Sequence, residues 1–370
     1  MLIQLAIMGV LAALLPLSIV WVSADADKYR KLSWVTLFLT FDLIIFGGFT
    51  RLTDSGLGCP DWPGCYGHAN PLQAHAMISA AQTAMPDGPV TVFKAWIEMT
   101  HRYLAMGVGV LIVSLMVIAW IRWLKSARSD RRFVPTMPTL LFLFVCLQGA
   151  FGAFTVTMKL QPIIVTGHLL LGLGLLSMLT WLNACQRAHP PVARQAASLR
   201  VPALVAAALL LVQLALGGWV STNYAALACT DFPLCHGLWW PQMDFENGFA
   251  LWRKLGMTVD GEFLPFPALT AIHFVHRSFA FVVVAVLGSV AWRASRMEGL
   301  QTIGRAVLAA LALQLCTGLA TVYFNWPLAI AVMHNAGAAL LVLLVTMLNY
   351  KTRLARQDAP ASIARTPPAS

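Results

Sequence analysis

Nine stretches of this chain, near 2–22, 33–50, 98–121, 136–157, 163–183, 202–221, 270–292, 305–324 and 328–348, are apolar for long enough to cross the hydrocarbon of a bilayer, which takes about 20 helical residues. Lipid offers a backbone amide no partner, and the stretches are continuously apolar rather than alternating, so helices are the spanning form open to them. The fold class that follows is an all-α integral membrane protein. A mean hydropathy of +0.73 with only 11% charged residues excludes an ordinary soluble domain.

The net charge of +10 would suit nucleic acid if it were spread over one surface, but it is sorted by loop. Lys28, Arg30 and Lys31, then Arg122 to Arg132, then Arg187, Arg194 and Arg200, then Arg293, Arg296 and Arg305, and the tail from Lys351 all fall on one side. The other side holds Arg51, Lys94, Lys159, Arg253 and Lys254. This is the positive-inside pattern: the basic loops and C-terminus are expected in the cytoplasm, the long loops 51–97 and 222–269 outside, and no nucleic acid is expected as a partner. The first stretch lacks a basic start and a defensible cleavage site, so it is read as a retained helix rather than a signal peptide.

Cys59, Cys65, Cys229 and Cys235 lie in the two outer loops, where an oxidising compartment favours short-loop disulfides, Cys59–Cys65 and Cys229–Cys235. The rival is a zinc site built from all four, although five residues separate each pair, wider than usual zinc spacing. Cys146, Cys185 and Cys316 read as small packing residues in or beside spans.

The outer loops also expose an internal repeat. GGFTRLTDSGLGCPDWPGCYG (47–67) aligns without a gap on GGWVSTNYAALACTDFPLCHG (217–237), and LQGAFGAFTVTMKLQPIIVTGH (147–168) on LQLCTGLATVYFNWPLAIAVMH (313–334). Two tandem four-helix bundles in one orientation are therefore expected, a parallel rather than an inverted repeat. The boundaries are an extra N-terminal helix with its loop at 1–32, a first bundle at 33–185, a linker at 186–201, a second bundle at 202–350 and a tail at 351–370 expected to be disordered.

The repeat turns isolated histidines into a set. His101 and His276 fall on the second helix of each unit, His168 and His334 on the fourth, all within about two turns of the outer end. A single intramembrane histidine is as well explained by a polar helix contact or a proton relay; four at repeat-related positions favour metal ligands. Two imidazoles from two helices of one bundle suit the faces of a haem iron better than a zinc or copper cluster. Arg102 and Arg277 each follow a histidine and could pair with haem propionates, or snorkel to headgroups. His68, His75, His189 and His236 read as solvated loop residues. Glu98 precedes His101 by three positions and shares its side of the helix, whereas His273 takes its place in the second unit. A buried carboxylate suits proton transfer; the alternative is a residue favoured by the start of a helix.

These residues resemble the haem A synthase family over about Tyr29 to Tyr350. The stretch 47–67 is similar to its first outer-loop signature, EMTHR (98–102) to its Glu-x-x-His-Arg motif, and His168, His276 and His334 to its other helical histidines. The resemblance implies a membrane enzyme of the bacterial plasma membrane that oxidises the C8 methyl of haem O to a formyl group, by successive hydroxylations and loss of water, to supply haem A to terminal oxidases. It implies haem O near Glu98, His101 and His168, and a haem B, with its iron, on His276 and His334 as electron carrier. The cysteine pairs look like the family's disulfides, and the extra helix departs from its eight-helix pattern. Implied partners are haem O, the haem O synthase in a complex, an electron acceptor or donor, the lipid bilayer and further copies of the chain. A bis-imidazole iron has no open position, so either a ligand leaves or electron removal precedes attack by water; both routes stay open.

Other readings compete. A two-haem cytochrome that only relays electrons needs the four histidines but not Glu98. A transporter should place charge at mid-membrane, where only Asp42 stands out. A docking module would explain the loops, with GLWW (237–240), and not the histidines.

Overall fold

The computed structural model describes residues 1–355; the rest of the segment read as a disordered tail, 356–370, lies outside the described residues. Among the described residues there are nine helices long and apolar enough to span a membrane and no β-strand, only isolated bridges. They are α1 (Leu2–Val22), α2 (Lys28–Leu52), α4 (Val92–Lys125), α5 (Thr136–Thr157), α6 (Pro162–Cys185), α7 (Arg200–Thr222), α9 (Phe266–Ala294), α10 (Gln301–Tyr323) and α11 (Leu328–Arg353), with short α3 (His75–Ala84) and α8 (Phe245–Gly248) in the two long loops.

Two boundaries differ instructively from the hydropathy reading. Helix α4 begins at Val92 rather than near 98, because Thr91 caps it by accepting from the Lys94 amide at 3.2 Å, and α9 begins at Phe266 behind Pro265. Hydropathy marks where lipid begins, whereas caps mark where the helix begins. His101 and His276 therefore sit nearer three turns than two into their helices. His75 is not a loop residue but opens α3, which is held by Ile78 packing into a cluster with Ala95 and Met99.

Helices α2, α4, α5 and α6 pack as a ring, each against the next, and α7, α9, α10 and α11 form a second ring. The first core centres on Leu111, Leu115, Leu141 and Leu179, the second on Leu287, Val307, Ala339 and Leu348. The rings meet through α2 against α11, α6 against α7, and α6 against α11. At the end that carries the cysteine loops Arg51 donates to the Ser221 carbonyl at 2.6 Å and lies over the Tyr224 ring, whose hydroxyl donates to Asp54 at 2.8 Å. Burial with this hydrogen bond raises the Tyr224 phenol above its ordinary range.

Helix α1 packs on α2 and α4, where Gly107 lets the backbone of Ala12 approach; a methyl there would lie 3.1 Å from the Ala12 side chain. Cys146, Cys185 and Cys316 are exposed rather than packed, because each lies on the outer side of its helix.

Candidate functional site

The four histidines stand on diagonal helices, His101 on α4 facing His168 on α6, and His276 on α9 facing His334 on α11. Each ring meets a glycine of the neighbouring helix. A Cβ built on Gly47 would lie 2.9 Å from His101 Nε2; those on Gly217, Gly152 and Gly318 would lie 3.0, 3.2 and 3.0 Å from Cε1 of His276, His168 and His334. None of the four is fully buried, so every ring keeps surface at which a ligand can lie.

This donor set fits a flat macrocycle held from two sides. Nδ1 of His168 is buried without a hydrogen-bond partner, as are the side-chain carbonyl oxygens of Gln148, Gln213 and Gln314; unpaired buried polar atoms need an explanation such as an absent ligand. Among the described residues no group of three or more His, Cys, Asp or Glu is gathered for a bare metal ion.

Polar residues beside the histidines escaped the sequence reading. Gln213 Nε2 lies 3.2 Å from His276 Nδ1, Gln314 Nε2 lies 3.2 Å from His334 Nε2, and the Thr317 hydroxyl lies 3.0 Å from His334 Nδ1. Their signal was polarity inside apolar spans, visible in LVQLALGG (211–218) and LQLCTG (313–318).

Glu98 is buried, and its carboxylate is already engaged. Oε2 accepts from the Cys59 amide at 2.7 Å and Oε1 from Arg102 Nη2 at 2.5 Å. The carboxylate thus faces the first cysteine loop as well as sharing a side with His101. In the second ring His273 Nδ1 accepts from the Cys229 amide at 3.2 Å. Arg102 donates to the carbonyls of Asp61 (3.1 Å) and Gly64 (2.6 Å), and Arg277 to those of Asp231 (2.7 Å) and Leu234 (2.9 Å). The two arginines, read as propionate partners or snorkelling groups, clasp the cysteine loops onto their helices.

Those loops are closed by Cys59–Cys65 and Cys229–Cys235, each a disulfide, and not by a shared zinc. Within them Asp61 and Asp231 each accept two backbone amides, from Tyr66 and Gly67 and from His236 and Gly237. The Asp231 carboxyl is held below the ordinary range, first by the Gly237 amide. His236 and His189 are not simply solvated: each bonds a backbone carbonyl at 2.8 Å, Ala228 and Ala184. Asp42 is exposed on α2 rather than turned into a helix interior, which disfavours a transport path.

A family model described as cytochrome oxidase assembly protein, COX15-CtaA, matches residues 30–346. The chain belongs to this family. Among similar members is a protein named heme A synthase from Shewanella oneidensis, 39% identical over 326 residues that cover 86% of this chain and 96% of the relative. Proteins of the same name from Erythrobacter litoralis and Rhizorhabdus wittichii are 31% and 30% identical, each over 84% of this chain and over 93% and 90% of their own lengths. The match to the assembly-protein family begins after α1, so both helical rings, with all four histidines, fall inside it.

Proposed function

We propose that this chain is a haem A synthase: an oxidoreductase of the bacterial plasma membrane that converts the C8 methyl of haem O to a formyl group. The observation that carries the reading is the pair of diagonal bis-histidine sites with a carboxylate beside only one of them. The names of the relatives support the substrate class. We read the two rings as copies of one unit, with boundaries as the sequence suggests. Matched loop disulfides, matched arginine clasps and glycines facing all four histidines support that reading. The cysteine loops face outward and the C-terminus the cytoplasm, on the charge asymmetry of the loops.

In this reading His101 and His168 hold the substrate haem O, and His276 and His334 hold haem B. When bound, haem B supplies one-electron transfer. The chain's own residues do the rest. His101 and His168 orient the substrate, and the apolar helices around them limit water. Glu98 is the acceptor for the proton lost as the methyl carbon is oxidised; Arg102 and the Cys59 amide hold the carboxylate in place. Loading of substrate from a haem O synthase completes the scheme, together with an electron partner: an acceptor where water supplies the formyl oxygen, or a donor where dioxygen does.

The test is haem extraction and chromatography from cells that make haem O but lack haem A activity, with and without this protein. A formyl haem that disappears in His101→Ala supports the reading. A folded protein that binds only haem B and leaves haem O unchanged in oxygen overturns it in favour of an electron relay.

A further inference from the structure

The two bis-histidine sites differ in one layer of side chains behind the imidazoles. In the second ring each Nδ1 has a polar neighbour from the preceding helix: Gln213 of α7 at 3.2 Å for His276, and Thr317 of α10 at 3.0 Å for His334. The gap-free alignments that pair Cys59 with Cys229 and His168 with His334 put Leu43 opposite Gln213 and Phe151 opposite Thr317. Leu43 packs into the first apolar core, and Phe151 lies against Gly167, beside His168. His168 Nδ1 is left buried and unpartnered. Gln148 and Gln314 are equivalent in sequence, yet only Gln314 is set against its histidine, with Nε2 3.2 Å from His334 Nε2.

The hydrogen-bond chemistry selects a tautomer. Thr317 has one hydroxyl hydrogen, which it can give to the Leu313 carbonyl at 3.0 Å, leaving a lone pair toward His334 Nδ1. That arrangement favours Nδ1–H and makes Nε2, against which Gln314 Nε2 lies at 3.2 Å, the accepting nitrogen, the one a metal would take in place of that amide. A hydrogen bond of this kind fixes the ring, makes the imidazole a stronger donor and favours the higher oxidation state of the metal it holds. Gln213 Nε2 donates to the His276 backbone carbonyl at 3.2 Å and lies 3.2 Å from His276 Nδ1, so it ties that edge of the ring to the helix beside it.

The geometry points to Gln213 and Thr317 as positioning residues that lock His276 and His334 onto a resident haem, Thr317 also holding its potential down, while Phe151 leaves His168 without the equivalent partner, suited to a haem that must arrive and depart. The inference rests on the proposed division between a cofactor ring and a substrate ring, and it supplies a physical reason for that division: retention and exchange make opposite demands on a ligand.

The experiment is redox titration of the haem in the purified full-length protein, alongside haem content by optical spectrum, for the wild type, Gln213→Leu, Thr317→Val, Thr317→Ser and His276→Ala. Thr317→Val is expected to shift the ferric-to-ferrous ratio about tenfold toward ferrous, about 59 mV for one electron, and Gln213→Leu, which unties the His276 ring, to lower haem content several-fold. Thr317→Ser, which keeps the hydroxyl, should hold the wild-type potential. Should Gln213→Leu fail to fold, the nearly isosteric Thr317→Val decides. Unchanged potential and haem content in Thr317→Val, with haem lost in His276→Ala, would overturn the locking role and leave the division of the rings standing. Undiminished haem in a folded His276→Ala would overturn that division, and the locking role with it.

Discussion

The buried carboxylate of Glu98 accepts the backbone amide of Cys59 at 2.7 Å, so a side chain one turn from a candidate haem ligand is bonded directly to the first disulfide loop. His273 makes the same bond to Cys229 at 3.2 Å. The shared bond is structural, docking each loop on its helix; what differs is the group that makes it. A carboxylate can take a proton and carry charge beside Arg102, while the imidazole reproduces the docking without the anion.

The substitution that separates these roles is Glu98→His, which installs the second ring's own solution. It should keep the loop docked and the protein folded, because the ring nitrogen can still accept the Cys59 amide. Turnover of haem O should fall by about 10²–10⁴-fold, the usual worth of a positioned proton acceptor. Glu98→Gln should lose turnover to a similar extent. Haem A yield, with the resident haem spectrum as folding control, is the measurement; full turnover in either variant would remove Glu98 from the chemistry.

Arg277 makes a second prediction. Its guanidinium donates to the Asp231 and Leu234 carbonyls inside the second disulfide loop and lies over the Phe232 ring. A hydrogen bond to a charged group contributes about 1.5–3 kcal/mol, so Arg277→Ala should lower the thermal midpoint and open 229–237 to protease. Arg277→Lys should recover only part of this, since a point charge cannot span two carbonyls as a planar fork does. If the arginine instead serves chiefly a haem propionate, haem loss should precede any change in loop protection.

Much of this arrangement was legible in the sequence. The spans follow from lipid's demand for satisfied backbone, and the disulfides from cysteines that recur in both outer loops. Less legible was anything set by pairing across helices. Arg102 read as a propionate partner because sequence places it near a histidine, while its contacts to Asp61 and Gly64 depend on a loop folding back by some forty residues. Gln213 and Thr317 are unremarkable along the chain and acquire meaning only when set against Leu43 and Phe151. The Arg51–Ser221 bond between rings is likewise a tertiary fact with no local pattern.

The second loop should respond to acid through Asp231. Its carboxylate accepts the His236 and Gly237 amides at 2.8 Å each, which depresses its pKa below the ordinary 3.8. A depressed carboxylate stabilises the fold above its unfolded value, and that contribution is lost as pH falls through the folded one. Amide exchange at His236 and Gly237 should therefore be flat from neutral pH to about pH 5, once corrected for intrinsic rates, and accelerate below about pH 4. Asp231→Asn should exchange faster at neutral pH and lose the acid step; an unchanged acid step would assign it to another group.

Glycine opposite each imidazole gives the sharpest steric prediction. In Gly217→Ala the new methyl would stand 3.0 Å from His276 Cε1, and in Gly47→Ala 2.9 Å from His101 Nε2, closer than a carbon comfortably approaches a ring. The ring must shift away from the new methyl, and a shifted ring loses the position from which it would hold a haem iron. Gly217→Ala should thus reduce resident haem per protein several-fold, and Gly47→Ala should reduce turnover while resident haem stays near the wild-type level. Gly109→Ala, on the same helix as His101 but with nothing within 4 Å of its new methyl, is the control; removing a helical glycine there should leave haem content intact and cost no stability. Equal haem loss in Gly217→Ala and Gly109→Ala would mean that bundle packing, not the fit of the imidazole slot, sets retention.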